Sequence, residues 1–149
     1  LEKMGCKVSR EREGIRVQGG PLRGIEVDMN AISDTVMTLA SVALFATGPT
    51  VIKRVGHIRH KETDRIRAVA TELGRRGIRV DETADGLVIH PGPMKATRVM
   101  TYKDHRMAMS LALVGLRVPG LEVDDPGCVA KTYPGYWQDF DKAVATAAH

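Results

Sequence analysis

The chain has 149 residues, with 22 Lys and Arg against 18 Asp and Glu, 43% hydrophobic residues and 4% aromatics. That length fits one domain or part of one, and the apolar content excludes wholesale disorder. The charge of +4 comes without a basic stripe or interleaved aromatics, which argues against nucleic acid and for small anions as partners. No apolar run approaches the roughly 20 residues of a membrane-spanning helix. Residues 1–14 are charged where a secretory leader needs an apolar stretch. Cys6 and Cys128 have neither a partner motif nor a metal-ligand spacing. A cytoplasmic setting is expected.

In chain order, residues 1–8 read as a helix end entering a strand, and Gly14-Ile15-Arg16-Val17 returns as its hairpin partner. A short strand is expected over 26–29. A helix follows over about 34–47, with Ser33 as N-cap and Gly48 at the C′ position. It is apolar nearly all round, so most of its sides should be buried. A strand over 50–53 precedes a helix over about 61–75, in which Ile66, Val69, Ala70 and Leu73 form an amphipathic stripe. A second hairpin leads to Gly86-Leu87-Val88-Ile89. Asp104 opens another greasy helix, whose Met107 and Met109 suit core filling. A strand over 121–124 comes before a last helix, capped by Thr132 with Pro134 in its first turn.

These elements recur. Leu1, Gly5 and Gly14 match Leu73, Gly77 and Gly86 at an offset of 72; two residues are then lost, and Asp34 and Lys61 match Asp104 and Lys131 at 70. The expected fold class is α/β (α+β), with repeated units of small sheet plus helices over about 1–72 and 73–149.

Chemistry gathers where helices begin. On a helix over 61–75, Lys61, Glu62 and Arg65 fall within a ~100° arc beside the apolar stripe. Two cations in a first turn oppose the helix macrodipole, a cost that makes sense where an anion also uses the free backbone N–H groups. The same residues would also suit a solvated surface cluster. In Asp104-His105-Arg106 the Asp caps the helix and the Arg can grip a carboxylate or phosphate in a bidentate fork. His105 alone suits a core histidine. Lys131 sits in a loop made approachable by Gly127. If the helix ends face one way, Asp34, Lys61, Glu62, Arg65, Asp104, Arg106 and Lys131 form a surface for a multiply anionic small substrate, with acid/base groups beside it. The sequence contains no Walker phosphate loop, dinucleotide fingerprint or serine nucleophile elbow.

Four segments carry a resemblance: Asp28-Met29-Asn30-Ala31-Ile32-Ser33-Asp34, Lys61-Glu62-Thr63-Asp64-Arg65, Asp104-His105-Arg106-Met107-Ala108-Met109, and Asp125-Pro126-Gly127-Cys128-Val129-Ala130-Lys131-Thr132. In this order they resemble the enolpyruvyl transferases, in the branch acting on shikimate 3-phosphate. The resemblance implies the family's inside-out α/β fold of two similar domains, with this chain as part of the C-terminal one. It implies joining of phosphoenolpyruvate to the 5-hydroxyl of shikimate 3-phosphate with release of phosphate, no metal or organic cofactor, and a phosphoenolpyruvate site that glyphosate occupies. It also implies a monomer when full length.

Carried over by position, Asp34 resembles the base for the 5-hydroxyl, and Lys61 resembles its contact and proton-transfer partner. Glu62 resembles the acid that protonates the methylene carbon, and Arg65, Arg106 and Lys131 resemble the phosphoenolpyruvate clamps. Shikimate 3-phosphate would touch Asp34, His57 and Lys61. His57 stands where many members have Asn, and Ser33 where many have Pro. Glu62 needs a proton at neutral pH, which a desolvated site is expected to supply by raising its pKa. The chain is expected to lack the N-terminal half of the site and to be inactive alone. Two alternatives are a nucleotide-sugar enolpyruvyl transferase and a non-enzymatic anion-binding repeat module, which would tolerate Asp34→Asn and Glu62→Gln.

Overall fold

The computed structural model describes residues 1–147. The first half contains strands β1 (Lys7–Glu11), β2 (Gly14–Gln18), β3 (Leu22–Arg23) and β4 (Glu26–Asp28), helix α1 (Val36–Ala43), then β5 (Ala46–Thr47) and β6 (Thr50–Lys53). There follow α2 (Arg65–Arg75), β7 (Arg79–Thr83), β8 (Gly86–His90), β9 (Arg98–Val99), α3 (His105–Ala112), β10 (Glu122–Val123) and α4 (Tyr136–Ala147). The elements are mixed helices and small sheets, as the patterning led one to expect.

The β1–β2 hairpin pairs Lys7 with Gln18 and Glu11 with Gly14; β7–β8 pairs Arg79 with His90 and Thr83 with Gly86. The two registers coincide at an offset of 72, but their surroundings differ. β8 joins a four-stranded sheet, ordered β4-β6-β8-β7, whereas β1 and β2 pair only with each other among the described residues. Ile15 and Val17 are accordingly exposed, while Leu87 and Ile89 are buried. The two-residue strands form parallel pairs, β3 with β5 and β9 with β10.

The core lies between this sheet and the helices. α2 covers β7 and β8, and α1 packs against α3. Ile66, Val69 and Leu73 of the stripe are fully buried, each contributing roughly 1.5–3 kcal/mol of transfer free energy. Two hydroxyl contacts tie the inner helices together: Ser41 Oγ donates to the Ser110 carbonyl at 2.8 Å, and Thr38 Oγ1 lies 2.9 Å from Ser110 Oγ.

Four helix boundaries differ from expectation. Residues Asn30–Thr35 form a 3-10 helix, and α1 starts only at Val36. Ser33 does not cap it, because it lies inside that 3-10 helix, two residues before the cap position Thr35; its Oγ instead meets His57 Nε2 at 2.8 Å. The helix also stops short of 47, because Ala46 and Thr47 pair in parallel with Leu22 and Arg23. Gly48, at φ +81°, then turns the chain into β6 rather than ending the helix. α2 begins at Arg65, not Lys61. Asp64 has an extended backbone and its side chain caps the helix by accepting Arg67 N–H, so 61–63 form a bend outside it. At the far end a 3-10 helix, Pro126–Lys131, precedes α4, which starts beyond Thr132 and Pro134.

Candidate active site

Arg65 is the hub. As the first residue of α2 it is 1% exposed, and its guanidinium meets three carboxylates from three segments. Nε donates to Asp104 Oδ2 at 2.8 Å, Nη1 to Asp34 Oδ1 at 3.0 Å, and Nη2 to Glu62 Oε2 at 2.9 Å and Asp104 Oδ1 at 3.3 Å. Burial pulls its pKa down, but Asp104, with Glu62 and Asp34, outweighs that and raises it. The arginine is therefore a permanent cation.

Asp104 is completely buried and does two jobs. It caps α3, accepting the Arg106 and Met107 N–H groups at 2.8 and 3.4 Å, and it neutralises Arg65. Asp34, its counterpart in the repeat, is not a cap. Half exposed, it bridges Arg65 and Arg106, with Arg106 Nη2 at 3.0 Å from Oδ2. Glu62 lies between Arg65 and Lys131, whose Nζ is 3.7 Å from Oε1. Lys131 ends the 3-10 helix before α4 and is largely exposed. Lys61 is exposed in the bend before α2. His57, in the 3-10 helix Gly56–His60, reaches Ser33 beside Asp34.

The structure thus brings Asp34, Glu62, Arg65, Asp104, Arg106 and Lys131 into one ion-pair cluster, while His57 bonds Ser33, the residue before Asp34, and no member of the cluster. A cavity of about 220 Å³ opens beside the Asp34–Arg106 pair, lined also by Thr38, Met109, Leu113 and Tyr136. A larger cleft of about 500 Å³ runs along α1, but its walls are mainly apolar and none of the cluster lines it. Among the described residues no group of three or more His, Cys, Asp or Glu is placed to hold a metal. No helix among them is long and apolar enough to cross a membrane.

The expectation for Glu62 needs correction. Its own backbone N–H, with Arg65 and Lys131, lowers the carboxyl pKa against the opposing effects of burial and Asp104. Glu62 is therefore ionised at neutral pH. Glu62 reaches the cluster from a bend, not from a helical face, while Lys61, exposed in the same bend, pairs with none of its members. Asp104 is legible in the sequence as a cap and as part of the anion-facing surface, but not as the buried counter-ion of Arg65; its match to Asp34 in the repeat is the available signal.

The chain matches the family profile for EPSP synthase (3-phosphoshikimate 1-carboxyvinyltransferase) over residues 1–140. It is 52% identical to a 3-phosphoshikimate 1-carboxyvinyltransferase of Nostoc punctiforme, over 94% of this chain and 33% of the relative. It is 50% identical to one of Trichormus variabilis, over 97% and 34%. The chain therefore spans about a third of the length of these curated relatives. An EPSP synthase structure from Acinetobacter baumannii superposes with a TM-score of 0.81 at 28% identity, covering 91% of this chain and 36% of that one. The enolpyruvyl transferase NikO from Streptomyces tendae gives 0.75 at 26%, covering 95% and 33%.

Proposed function

This chain belongs to the EPSP synthase family, and from that membership we propose that it supplies the C-terminal-domain part of an enzyme. That enzyme transfers the enolpyruvyl group of phosphoenolpyruvate to the 5-hydroxyl of shikimate 3-phosphate and releases phosphate. The supporting observation is the convergence of three carboxylates on Arg65, with Arg106 and Lys131 within 3.0 and 3.7 Å of two of them. A surface charge cluster has no need of a fully buried arginine, and an anion-binding module has no need of two carboxylates occupying its cations.

In this reading Asp34 and Glu62 stand where an anionic substrate will go. Phosphoenolpyruvate takes over Arg65, Arg106 and Lys131 with its carboxylate and phosphate, since arginine forks match both groups. That releases the two carboxylates. Glu62, no longer held beside free cations, becomes easier to protonate and delivers its proton to the methylene carbon. Asp34 accepts the proton of the 5-hydroxyl, with Lys61 contacting the same oxygen and His57 reaching shikimate 3-phosphate. The oxygen bonds to the central carbon, and the tetrahedral adduct then loses phosphate and a methyl proton.

The rest of both binding sites comes from an N-terminal domain, and the two units over about 1–72 and 73–149 form part of the C-terminal one. The enzyme acts as a cytoplasmic monomer without metal or organic cofactor. A nucleotide-sugar transferase is the less favoured reading, because the curated relatives from Nostoc punctiforme and Trichormus variabilis carry the 3-phosphoshikimate name.

The test is a chimaera in which this chain replaces the matching third of the Nostoc punctiforme relative. Phosphate release from phosphoenolpyruvate and shikimate 3-phosphate is expected. Glu62→Gln should lower turnover by ~10²–10⁴-fold, the usual contribution of general acid catalysis, with substrate affinity changed far less. A folded but inactive chimaera would remove the proposal; unchanged turnover in the variant would remove Glu62 from it.

A further inference from the structure

The backbone leading into the α3 cap is strained. Among the described residues only three non-glycines have a left-handed backbone, and two of them are consecutive: Tyr102 and Lys103, both at φ +57°. Such conformations persist only where the surroundings over-determine them, and they concentrate at functional sites. Directly after them come Asp104 and Arg106. Asp104 N–H donates back to the Thr101 carbonyl at 2.9 Å, closing the turn.

A buried carboxylate outside the ion-pair cluster holds this turn. Glu72, seven residues beyond Arg65 on α2, is 0% exposed. Its Oε1 accepts the Tyr102 hydroxyl at 3.1 Å and its Oε2 accepts Met100 N–H at 3.2 Å. Arg75 Nη1 at 2.8 Å and Arg76 Nη1 at 3.5 Å supply the countercharge. Thr101 N–H is held separately by Asp124 Oδ1 at 2.9 Å. The two ends of α2 therefore grip one short segment: Arg65 binds Asp104 at one end, and Glu72 binds Met100 and Tyr102 at the other.

We propose that Glu72 and Tyr102 are positioning residues, whose hydrogen bond clamps the left-handed Tyr102–Lys103 pair and so aims Asp104 and Arg106 at Arg65 and Asp34. This rests on Asp104 and Arg106 belonging to the site described above, and it adds residues that touch no substrate. Glu72 is buried, so the bond it accepts from Tyr102 is one that water does not replace from within, although the Tyr102 ring itself is partly exposed. Lys103 is exposed, so its role is conformational, and glycine would adopt the same backbone without a steric cost.

The experiment uses the 149-residue chain and amide hydrogen exchange. Tyr102→Phe keeps the ring and removes the hydroxyl. Exchange at the two capped amides, Arg106 and Met107, should accelerate about fivefold, as expected for one lost hydrogen bond. Val69 in the middle of α2 should be unchanged, and the Arg106 side-chain N–H resonance should shift as its pairing with Asp34 loosens. Adding Lys103→Gly to that variant should restore both readouts, because it relieves the strain the clamp holds in check. The proposal is overturned if Tyr102→Phe leaves these amides untouched, if protection falls uniformly through the chain, or if Lys103→Gly brings no recovery. Glu72→Gln, which strands Arg76, is the harsher variant and is not needed for the decision. No ligand enters the measurement, so an inactive chimaera would count against the proposed function alone.

Discussion

Arg65 shows how one side chain can organise a site. A fully buried guanidinium is tolerable only when its charge is compensated, and Asp104, equally buried, meets it with two bonds. Breaking such a pair from one side typically costs about 3–5 kcal/mol. Asp104→Ala also removes the α3 cap, so urea denaturation should show at least that loss; a change under 1 kcal/mol would deny the pair its structural weight. Asp64 offers a milder case with a pH signature. Burial would raise its pKa, but the Arg67 N–H and the Arg59 guanidinium prevail and hold it below the usual value. A carboxyl with a lowered folded pKa stabilises the fold above its unfolded value, roughly 3.9, and loses that contribution as pH falls through the folded one. Asp64→Ala should therefore cost about 1 kcal/mol near neutrality, with the gap from the parent chain closing as pH falls below the ordinary carboxylate range. A gap independent of pH in thermal melts would contradict the cap assignment. At this scale the sequence was most legible for residue types and least for partners: Asp104 was readable as a cap, but its bonds to a residue 39 positions away were not.

Among elements, the two hairpins share a pattern and differ in burden. Gly14 and Gly86 open matching strands, and the sequence alone treats them alike. A Cβ on Gly14 meets nothing within 4 Å, whereas one on Gly86 would lie 2.1 Å from the Ile52 carbonyl, because β8 is pressed against β6. Gly86→Ala should thus destabilise the chain by about 1–3 kcal/mol through forced backbone shifts, while Gly14→Ala should be neutral. Equal melting temperatures for the two variants would refute this account of the sheet. The same contrast explains the misplaced end of α1. Residues 44–47 continue an apolar helical pattern, and only the parallel pairing of Ala46 and Thr47 with β3 withdraws them from the helix. Two-residue strands have too little periodicity to be read locally, and 3-10 segments such as Asn30–Thr35 mimic a helix start.

For the whole molecule, the cluster near Arg65 holds the charges of the proposed reaction, but the described residues enclose only a small cavity beside them. The 149-residue polypeptide by itself is expected to release no phosphate from phosphoenolpyruvate and shikimate 3-phosphate, since a reaction of this kind needs contacts on all sides of two anionic substrates. Measurable release by the purified chain would overturn the two-domain reading. The sequence by itself determined the fold class, the paired hairpins, the amphipathic face of α2 and the cap of α3, because each is written in local periodicity, in capping chemistry or in a motif. Only the tertiary structure decided that Asp34, Glu62 and Asp104 converge on one arginine, that the Glu62 carboxyl is held below its ordinary pKa there, and that Glu72 reaches across to Tyr102. Those facts depend on distances between segments and on burial, which no spacing along the chain encodes.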